Sequence, residues 1–355
     1  MPYSTIDSPK KYFEAKTYTG TGSTQSISGL SFSPDFVWIK NRSGANSHGL
    51  VTSLVNTRYA LDTSATSGEV DFGTTGVTSL NSDGFTVVSH PVFNSNTNNY
   101  ISWCWDANGT GVSNTAGTIS STVSANTTSG FSIVSYTGTG ANATVGHGLG
   151  VAPKMIIIKS RGTAGTNWQV GHQSLSSTPW NSCVRLNSTI AIQTASTLWN
   201  NTAPTSSVFT IGSDADPNTN GSAYIAFCWS EVKGFSKFGS YTGNGGTGDN
   251  GVFVYTGFKP AFVMFRATNY GTVTRWIIKD NKRNTYNVVA NNLSAELAGT
   301  ENTDGNDYVD FLSNGFKYRG TTISENINAS GTNYIYMAFA ENPFVSSKGI
   351  PTTAR

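Results

Sequence analysis

The run Pro34-Asp35-Phe36-Val37-Trp38-Ile39-Lys40 decides how the chain is organised, because its pattern returns twice more. In each copy a proline is followed by an apolar run that a cation closes. The second and third copies are Pro153-Lys154-Met155-Ile156-Ile157-Ile158-Lys159 and Pro260-Ala261-Phe262-Val263-Met264-Phe265-Arg266. Recurrence of one pattern at long, regular intervals indicates an internal repeat.

Two further landmarks recur in the same order around this run. A Tyr-Thr-Gly triplet precedes the proline by 16, 17 and 19 residues, and an aromatic segment follows it by 66, 71 and 74 residues. The triplets begin at Tyr18, Tyr136 and Tyr241, and the later segments are 100–105, 224–229 and 334–339. The repeat length of 105 to 118 residues suits an independent domain, so the sequence predicts three units.

The landmarks also set the expected boundaries. The predicted order is an N-terminal segment 1–11, unit 1 over 12–112, a linker 113–130, unit 2 over 131–233, unit 3 over 234–345 and a C-terminal tail 346–355. Residues 113–130 are rich in Gly, Ser, Thr and Asn, a composition typical of flexible linkers.

Short apolar runs within each unit predict strands. They are rich in β-branched and aromatic residues and are bounded by Gly, Asn, Asp and Ser. Residues 36–39 are apolar on both faces, as expected of a central strand covered on each side. Only 293–297 shows a helical pattern. The sequence therefore predicts an all-β protein of three tandem antiparallel β-sandwiches, jelly-roll-like or lectin-like, with one shared interior position at Trp103, Phe227 and Met337.

Composition argues against several classes of partner. Charged residues make up 12% of the chain, against roughly 25% in an average soluble protein. The net charge of +2 is too weak to attract a nucleic-acid backbone or an anionic membrane by electrostatics alone. The chain has no apolar run long enough to cross a membrane and no signal-peptide pattern. We expect neither nucleic-acid binding nor membrane insertion.

Residue types that carry chemistry are present without the spacing that chemistry needs. Cys104 and Cys228 share their repeat position with Ala338, which favours a small buried residue over a reactive thiol. The four histidines show no metal-binding or catalytic spacing. Carboxylates suited to glycoside hydrolysis are candidates only by type: Asp71, Asp83, Glu231, Asp280, Asp307, Asp310 and Glu341. We expect no enzymatic activity and no cofactor.

One loop resembles a calcium-binding sequence. Oxygen-bearing side chains alternate at Asp214, Asp216 and Asn218, but Thr219 replaces the expected glycine and Ile225 the expected glutamate. The pattern favours a plain hairpin loop over a metal site. Asp214, Asp216 and Asn218 are the weak candidate ligands if the loop does bind a cation.

Aromatic residues that break the repeat are the candidate receptor-binding residues. Trp168 and Trp276 lie 15 and 16 residues after their prolines, which indicates packing positions in the core. Trp180, Trp199 and Tyr270 follow no repeat and lie among Pro, Asn, Thr and Gly, so they are the predicted contact surface.

Several of these segments resemble a family of repeat proteins common in marine tailed bacteriophages. The segments are 12–20, 34–43, Asp83-Gly84-Phe85 with 100–105, and 344–351. The resemblance implies a virion structural protein, usually a tail fibre or spike with lectin-like sandwiches. It supplies no catalytic or binding residue.

Two hypotheses of function follow. In the first, the chain is a tail fibre or spike subunit that binds a host surface glycan or protein, assembles in the host cytoplasm with other virion proteins, and forms a homotrimer as fibres usually do. In the second, it is a purely structural component, such as a head decoration or fibre protein or a tail adaptor. A polysaccharide-degrading spike is disfavoured, because the sequence shows no parallel β-helix repeat and no acid cluster.

Overall fold

The computed structural model describes residues 3–269, 274–303, 306–324 and 326–352, and over these ranges the protein is nearly all β. Its helices are single turns: 3-10 turns at Pro9–Lys11, Pro179–Asn181 and Gly248–Asn250, and α-helices α1 (Ser196–Trp199) and α2 (Ala215–Asn218). None of the helices in the described ranges is long and apolar enough to span a membrane.

Unit 1 contains a four-stranded sheet in the order β1-β9-β3-β4 and a three-stranded sheet in the order β2-β8-β7. Its short strands β5 and β6 pair with each other. The strands are β1 (Phe13–Thr19), β2 (Gln25–Ile27), β3 (Phe36–Asn41), β4 (His48–Thr52), β5 (Tyr59–Ala60), β6 (Val70–Asp71), β7 (Gly76–Asn81), β8 (Gly84–Val88) and β9 (Asn99–Trp105).

Unit 2 has the largest sheet, with eight strands in the order β10-β11-β12-β19-β14-β15-β16-β17, and a second sheet of β13 and β18. The strands are β10 (Val112–Asn114), β11 (Ser121–Asn126), β12 (Phe131–Thr137), β13 (Ala143–Gly146), β14 (Met155–Ser160), β15 (Gln169–His172), β16 (Ser182–Arg185), β17 (Gln193–Thr194), β18 (Val208–Ile211) and β19 (Ala223–Trp229).

The prediction that residues 113–130 form a flexible linker is wrong, because β11 within this segment is part of the large sheet. β11 pairs along its whole length with β12, from Ser121 opposite Tyr136 to Asn126 opposite Phe131. The segment is therefore an ordered part of unit 2, because its backbone groups are bonded in the sheet.

Unit 3 contains a five-stranded sheet in the order β20-β27-β22-β23-β24 and a three-stranded sheet in the order β21-β26-β25. The prediction of a helix over 293–297 is wrong, because this segment begins with the strand β24. The strands are β20 (Ser236–Thr242), β21 (Phe253–Tyr255), β22 (Phe258–Ala267), β23 (Ile277–Asp280), β24 (Leu293–Ser294), β25 (Val309–Leu312), β26 (Gly315–Tyr318) and β27 (Asn333–Pro343).

The same four strands form the centre of each large sheet, in the orders β1-β9-β3-β4, β12-β19-β14-β15 and β20-β27-β22-β23. The three apolar runs after the prolines lie in β3, β14 and β22, as predicted. Trp103, Phe227 and Met337 are buried and face equivalent partners on those strands, namely Trp38, Ile157 and Met264. The equivalence of the three runs and of this shared position is confirmed. The predicted placement inside each sandwich is corrected, because all three residues belong to a buried cluster that joins the three units.

Each unit has its own apolar cluster. In unit 1 the cluster joins residues of both sheets, such as Val37 and Phe85, and corresponding clusters occur in units 2 and 3. Cys104, Cys228 and Ala338 occupy these clusters and are fully buried. Burial raises the pKa of the Cys104 thiol to about 12, so the thiol stays protonated, and the predicted structural role is confirmed.

The opposite faces of the large sheets meet in one shared core. Phe36 of unit 1 packs edge-on against Phe227 of unit 2 with ring centroids 4.8 Å apart, and Phe13 stacks on Phe339 of unit 3 at 5.1 Å. A single buried cluster contains residues from all three units. The units are therefore not independent domains, since each uses its neighbours to cover one face of its large sheet.

Candidate functional site

The structure excludes two of the three predicted receptor-binding rings. Trp180 is 8% exposed and Trp199 is 1% exposed, and their rings pack edge-to-face with centroids 5.6 Å apart. Gly171 leaves the space for them, because a β-carbon there would lie 2.6 Å from the Trp180 ring. Both rings fill the apolar cluster of unit 2, which corrects the prediction of a contact surface. Tyr270 lies outside the described residues.

The predicted cation ligands already form hydrogen bonds with other groups of the protein. Asp214 accepts a hydrogen bond from the Asp216 amide at the start of α2, and Asp216 accepts from the Asn167 amide. Asn218 donates to the carbonyls of Ala141 and Gly212 at 2.7 Å. No cluster of three metal-ligating side chains occurs among the described residues. The loop therefore serves to join neighbouring turns.

Asn218 is one of three equivalent buried asparagines. Asn94, Asn218 and Asn328 are fully buried, and each accepts a hydrogen bond from the backbone amide that follows the glycine of its Tyr-Thr-Gly triplet. Each lies six residues before a landmark tyrosine, at Tyr100, Tyr224 and Tyr334. This spacing was available in the sequence and identifies a structural amide.

The landmark tyrosines form three stacked pairs, Tyr18 with Tyr100, Tyr136 with Tyr224 and Tyr241 with Tyr334. Their ring planes differ by only 9°, 14° and 11°, with centroids 4.9 to 5.2 Å apart. The tyrosine of each triplet donates to a backbone carbonyl beside the buried asparagine. The repeated tyrosines are therefore structural.

The cations that close the apolar runs hold the three units together. Lys40 of unit 1 donates to the carbonyl of Ala298 in unit 3 at 3.0 Å, and Lys159 of unit 2 donates to the carbonyl of Thr66 in unit 1 at 3.2 Å. Arg266 of unit 3 donates to carbonyls of unit 2 at Arg185, Ser188 and Ile190. We call each meeting of two units a seam. The three seams close a ring, since every unit donates to one neighbour and accepts from the other.

Burial of these cations has an electrostatic consequence. Lys40, Lys159 and Arg266 have no exposed surface. Desolvation lowers the pKa of each lysine to about 8 and that of the guanidinium to about 10. Backbone carbonyls supply the compensating contacts, so the charges serve to align neighbouring units.

Further polar pairs reinforce the seams. Arg42 of unit 1 pairs with Glu301 of unit 3 at 2.7 Å, and Arg161 of unit 2 pairs with Glu69 of unit 1. In the seam between units 2 and 3, Thr268 takes the position of Arg42 and Arg161, two residues after the seam cation. Its carbonyl accepts a hydrogen bond from the Ile192 amide at 3.4 Å. At the unit 1–unit 3 seam, Arg283 joins Glu301 to the buried Asp280.

The carboxylates named as catalytic candidates by type are mostly held in ion pairs. These pairs are Asp71 with Arg58, Glu231 with Lys237, Asp280 with Arg283, Asp310 with Arg319, and Glu341 with Lys259. Asp83 accepts from the Gly29 amide, and Asp307 from Ser324 and Asn292. Each of these acids has an identified bonding role.

Exposed large aromatic side chains distinguish unit 3. Among the described residues they are Phe253, Tyr255 and Tyr286, with exposed fractions of 43%, 55% and 78%. Phe253 and Tyr255 point outward from the edge strand β21, and the Tyr255 hydroxyl lies 3.2 Å from that of Tyr3 in the N-terminal segment.

Tyr286 lines an open cleft of about 650 Å³ on unit 3, a size typical of small-ligand sites. We call this the tyrosine cleft, formed by Lys259, Asn281, Asn284, Thr285, Tyr286, Asn287, Val289, Phe311, Leu312, Ser313, Asn342 and Thr352. Its wall is rich in amides, and the buried Asn281 Oδ1 has no hydrogen-bond partner. An exposed ring beside amide groups offers both stacking and hydrogen bonding to a polar ligand.

Comparison with known proteins places this three-unit body in a family. The model of the family described as "Domain of unknown function (DUF7483)" matches residues 8–343, which is nearly the whole chain. The chain therefore belongs to the DUF7483 family. No curated protein matches it significantly.

Proposed function

We propose that this protein is a bacteriophage virion structural protein, a tail fibre or spike subunit that binds a host surface glycan or protein through unit 3. The assignment to a virion rests on the resemblance of the repeat segments to marine phage repeat proteins. The placement of the exposed aromatic side chains supports the receptor-binding role, because all three described examples lie on unit 3. Tyrosine is among the residues most enriched at binding hot spots.

The tyrosine cleft is the proposed receptor site. Three of its four asparagines and the Tyr286 ring are held on loops, and Asn342 lies on β27. The seams and the shared core fix the large sheets. Rigid sheets that carry variable loops are a common arrangement for recognition. The three units are proposed to be jelly-roll or lectin-like sandwiches, which the presence of one large and one smaller sheet in each unit supports.

The proposal includes no catalytic step and no cofactor. The ion pairs of Asp71 and Asp280 support this part, since hydrogen bonds and the charge of the paired arginine lower the pKa of each carboxyl group. Assembly in the host cytoplasm with other virion proteins completes the proposed role.

A purely structural role is the second candidate, and the exposed face of β21 favours it. Phe253 and Tyr255 lie on an edge strand beside the N-terminal segment, where an adjoining virion protein is able to pack against them. In this case the rings of unit 3 serve attachment within the particle rather than host recognition.

The predicted homotrimer remains a proposal. The three seams are already satisfied within one chain, so a trimer must use other surfaces, such as the outer face of unit 3. Light scattering of the purified chain at micromolar concentration is expected to give the mass of three chains. The mass of one chain, with one copy per site in the particle, contradicts it.

Adsorption of engineered phage separates the two functions. We expect Tyr286→Ala particles to adsorb to host cells at least about tenfold more slowly, with normal particle yield, because a recognition ring is lost. The matched variant Tyr255→Ala changes an exposed tyrosine outside the cleft and is expected to adsorb normally. Normal adsorption of Tyr286→Ala, with reduced particle assembly for Tyr255→Ala, supports the purely structural role. Absence of the chain from purified virions, tested with a specific antibody, overturns both.

A further inference from the structure

The loop that carries Tyr286 into the tyrosine cleft is anchored on both sides of the ring. After it, Asn287 Oδ1 accepts from the Phe311 amide at 2.9 Å, and Asn287 Nδ2 donates to the Phe311 carbonyl at 3.1 Å. Before it, Asn284 Oδ1 accepts from the Asn291 amide at 2.7 Å. A loop that is already ordered loses less conformational entropy when it binds a ligand, so this ring is well placed for recognition.

Polar side chains beside the ring are free to bond to a ligand. Within the described residues, Asn284 Nδ2 and the side-chain amide of Asn342 have no hydrogen-bond partner, and none of these atoms is buried. Thr285 is exposed, and its hydroxyl has no partner in the same part of the chain. Asn284 therefore offers a donor, whereas Asn342 and Thr285 each offer both a donor and an acceptor.

The cleft offers a ligand no unpaired charge. The Nζ atom of Lys259, which lines the cleft, lies 2.7 Å from Glu341 Oε2. No acidic residue is among the described residues that line the cleft. An anionic ligand has to compete with Glu341 for the lysine, and a cationic ligand finds no carboxylate. The charges therefore favour a neutral ligand.

Apolar surface in the cleft is concentrated in one ring. Val289 is 2% exposed and Phe311 is 4% exposed, and Leu312 is half-buried. The 78% exposed Tyr286 is thus the main apolar group that a ligand meets. A protein hot spot is usually a well-packed pocket that excludes water. A single open ring among amides and hydroxyls instead matches a ligand whose hydroxyl groups surround a C–H face.

We propose that the tyrosine cleft binds a neutral oligosaccharide. The C–H face of one sugar ring stacks on Tyr286, and the sugar hydroxyl groups bond to Asn284, Thr285 and Asn342. The volume of about 650 Å³ suits roughly two or three sugar rings. This inference rests on the proposed receptor function for its biological role, and it deepens that function by choosing a neutral glycan over a protein as the receptor.

Binding of soluble oligosaccharides to the full chain tests the ligand class. The neutral probes are maltotriose, cellotriose, mannotriose and N,N′-diacetylchitobiose, with trigalacturonate as the charged comparison, measured by ligand-observed NMR and calorimetry. We expect at least one neutral probe to bind saturably with a Kd below about 10 mM, and trigalacturonate to bind more weakly than that probe. No saturable binding of any neutral probe, or tighter binding of trigalacturonate, overturns the proposal.

Substitutions then locate the binding. Tyr286→Ala is expected to weaken it at least about tenfold, whereas Tyr286→Phe keeps the stacking ring and should stay within about threefold of wild type. Asn342→Leu removes the amide at similar side-chain size, with an expected severalfold loss. Tyr255→Ala changes an exposed tyrosine outside the cleft and is the matched control, with affinity unchanged within about twofold. Wild-type affinity in both Tyr286→Ala and Asn342→Leu contradicts the site.

Adsorption of phage separates this inference from the proposed receptor function. Impaired adsorption of Tyr286→Ala particles without binding of any neutral probe removes the neutral-glycan class and leaves the receptor function standing. Oligosaccharide binding that Tyr286→Ala abolishes, together with normal adsorption of the same particles, keeps the sugar site and removes its role as the receptor site. Slower adsorption of wild-type phage in the presence of the bound oligosaccharide supports both.

Discussion

The seams and the outer surface of unit 3 use repetition in opposite ways. At the seams, equivalent cations donate to a neighbouring unit: Lys40, Lys159 and Arg266. On the outer surface of unit 3, Tyr286 lines a cleft that has no repeated motif in the sequence. The comparison teaches that positions shared by all units serve assembly of the body, whereas binding chemistry is sought among positions that differ and remain accessible.

The largest expected effect is at the shared core. Phe227→Ala removes a ring that contacts Phe36 of unit 1, and we expect a loss of about 3 to 5 kcal/mol in the free energy of unfolding. Calorimetry should show one unfolding transition at lower temperature, because units 1 and 2 share this core. Phe253→Ala is the exposed control, with a loss within about 1 kcal/mol. A separate transition for unit 2 contradicts the shared core.

A seam cation gives the next largest effect. Arg266→Met leaves the carbonyls of Arg185, Ser188 and Ile190 without their donor, with an expected loss of about 3 kcal/mol or more. Lys237→Met is the matched control. Its ion pair with Glu231 is partly exposed, so the expected loss is under about 1 kcal/mol. Urea unfolding measures the free energy of unfolding of both variants. Equal losses in Arg266→Met and Lys237→Met contradict a larger stabilising role for the buried seam cation.

The seams also predict a dependence on pH. His48 and His172 each contact a carbonyl of unit 3 through Nε2. Through Nδ1, His48 accepts from the Trp38 indole N–H and His172 from the Ser174 amide N–H. Burial lowers the pKa of His48 to about 3 and that of His172 to about 4. Because the unfolded chain binds these protons near pH 6.5, the free energy of unfolding falls as pH drops below that value. Each histidine contributes up to about 1.4 kcal/mol per pH unit.

Glu296 opposes this trend. Burial raises the pKa of Glu296 to about 7 from the ordinary value of 4.5. Its contribution to the free energy of unfolding therefore grows as the pH falls from 7 towards 4.5. Urea unfolding at pH 7, 6 and 5 is expected to show a net loss from the two histidines. Glu296→Gln should make the loss steeper. A flat profile in both proteins contradicts neutral buried histidines.

The smallest expected change in stability is at the tyrosine cleft. Tyr286→Ala removes a ring that is 78% exposed, so the free energy of unfolding should change by no more than about 0.5 kcal/mol. Thermal unfolding checks this value. A loss above about 2 kcal/mol gives the ring a packing role and weakens its assignment to recognition.

The sequence predicted the strands better than their assembly. The apolar runs and the position shared by Trp103, Phe227 and Met337 follow from strand periodicity, which is local information. The sequence also indicated that residues 36–39 are covered on both faces. The sequence did not show that the neighbouring units cover one of these two faces, because contacts between distant segments leave no local pattern.

The predicted site failed for a physical reason. Trp180 and Trp199 break the repeat, but a ring that breaks a repeat still fills a core when small neighbours such as Gly171 make room for it. Tyr286 was missed because the exposure of a ring depends on its surroundings in the fold. The asparagine six residues before each landmark tyrosine was detectable and explains Asn218 without a cation.

The closed ring of seams has an evolutionary consequence. A trimer of identical chains repeats every substitution three times, so a change that improves one surface is imposed on all three copies. In this chain the three positions around the ring are encoded separately. Unit 3 is therefore able to gain an exposed aromatic loop while units 1 and 2 keep the residues that hold the body together, which leaves one face free to change.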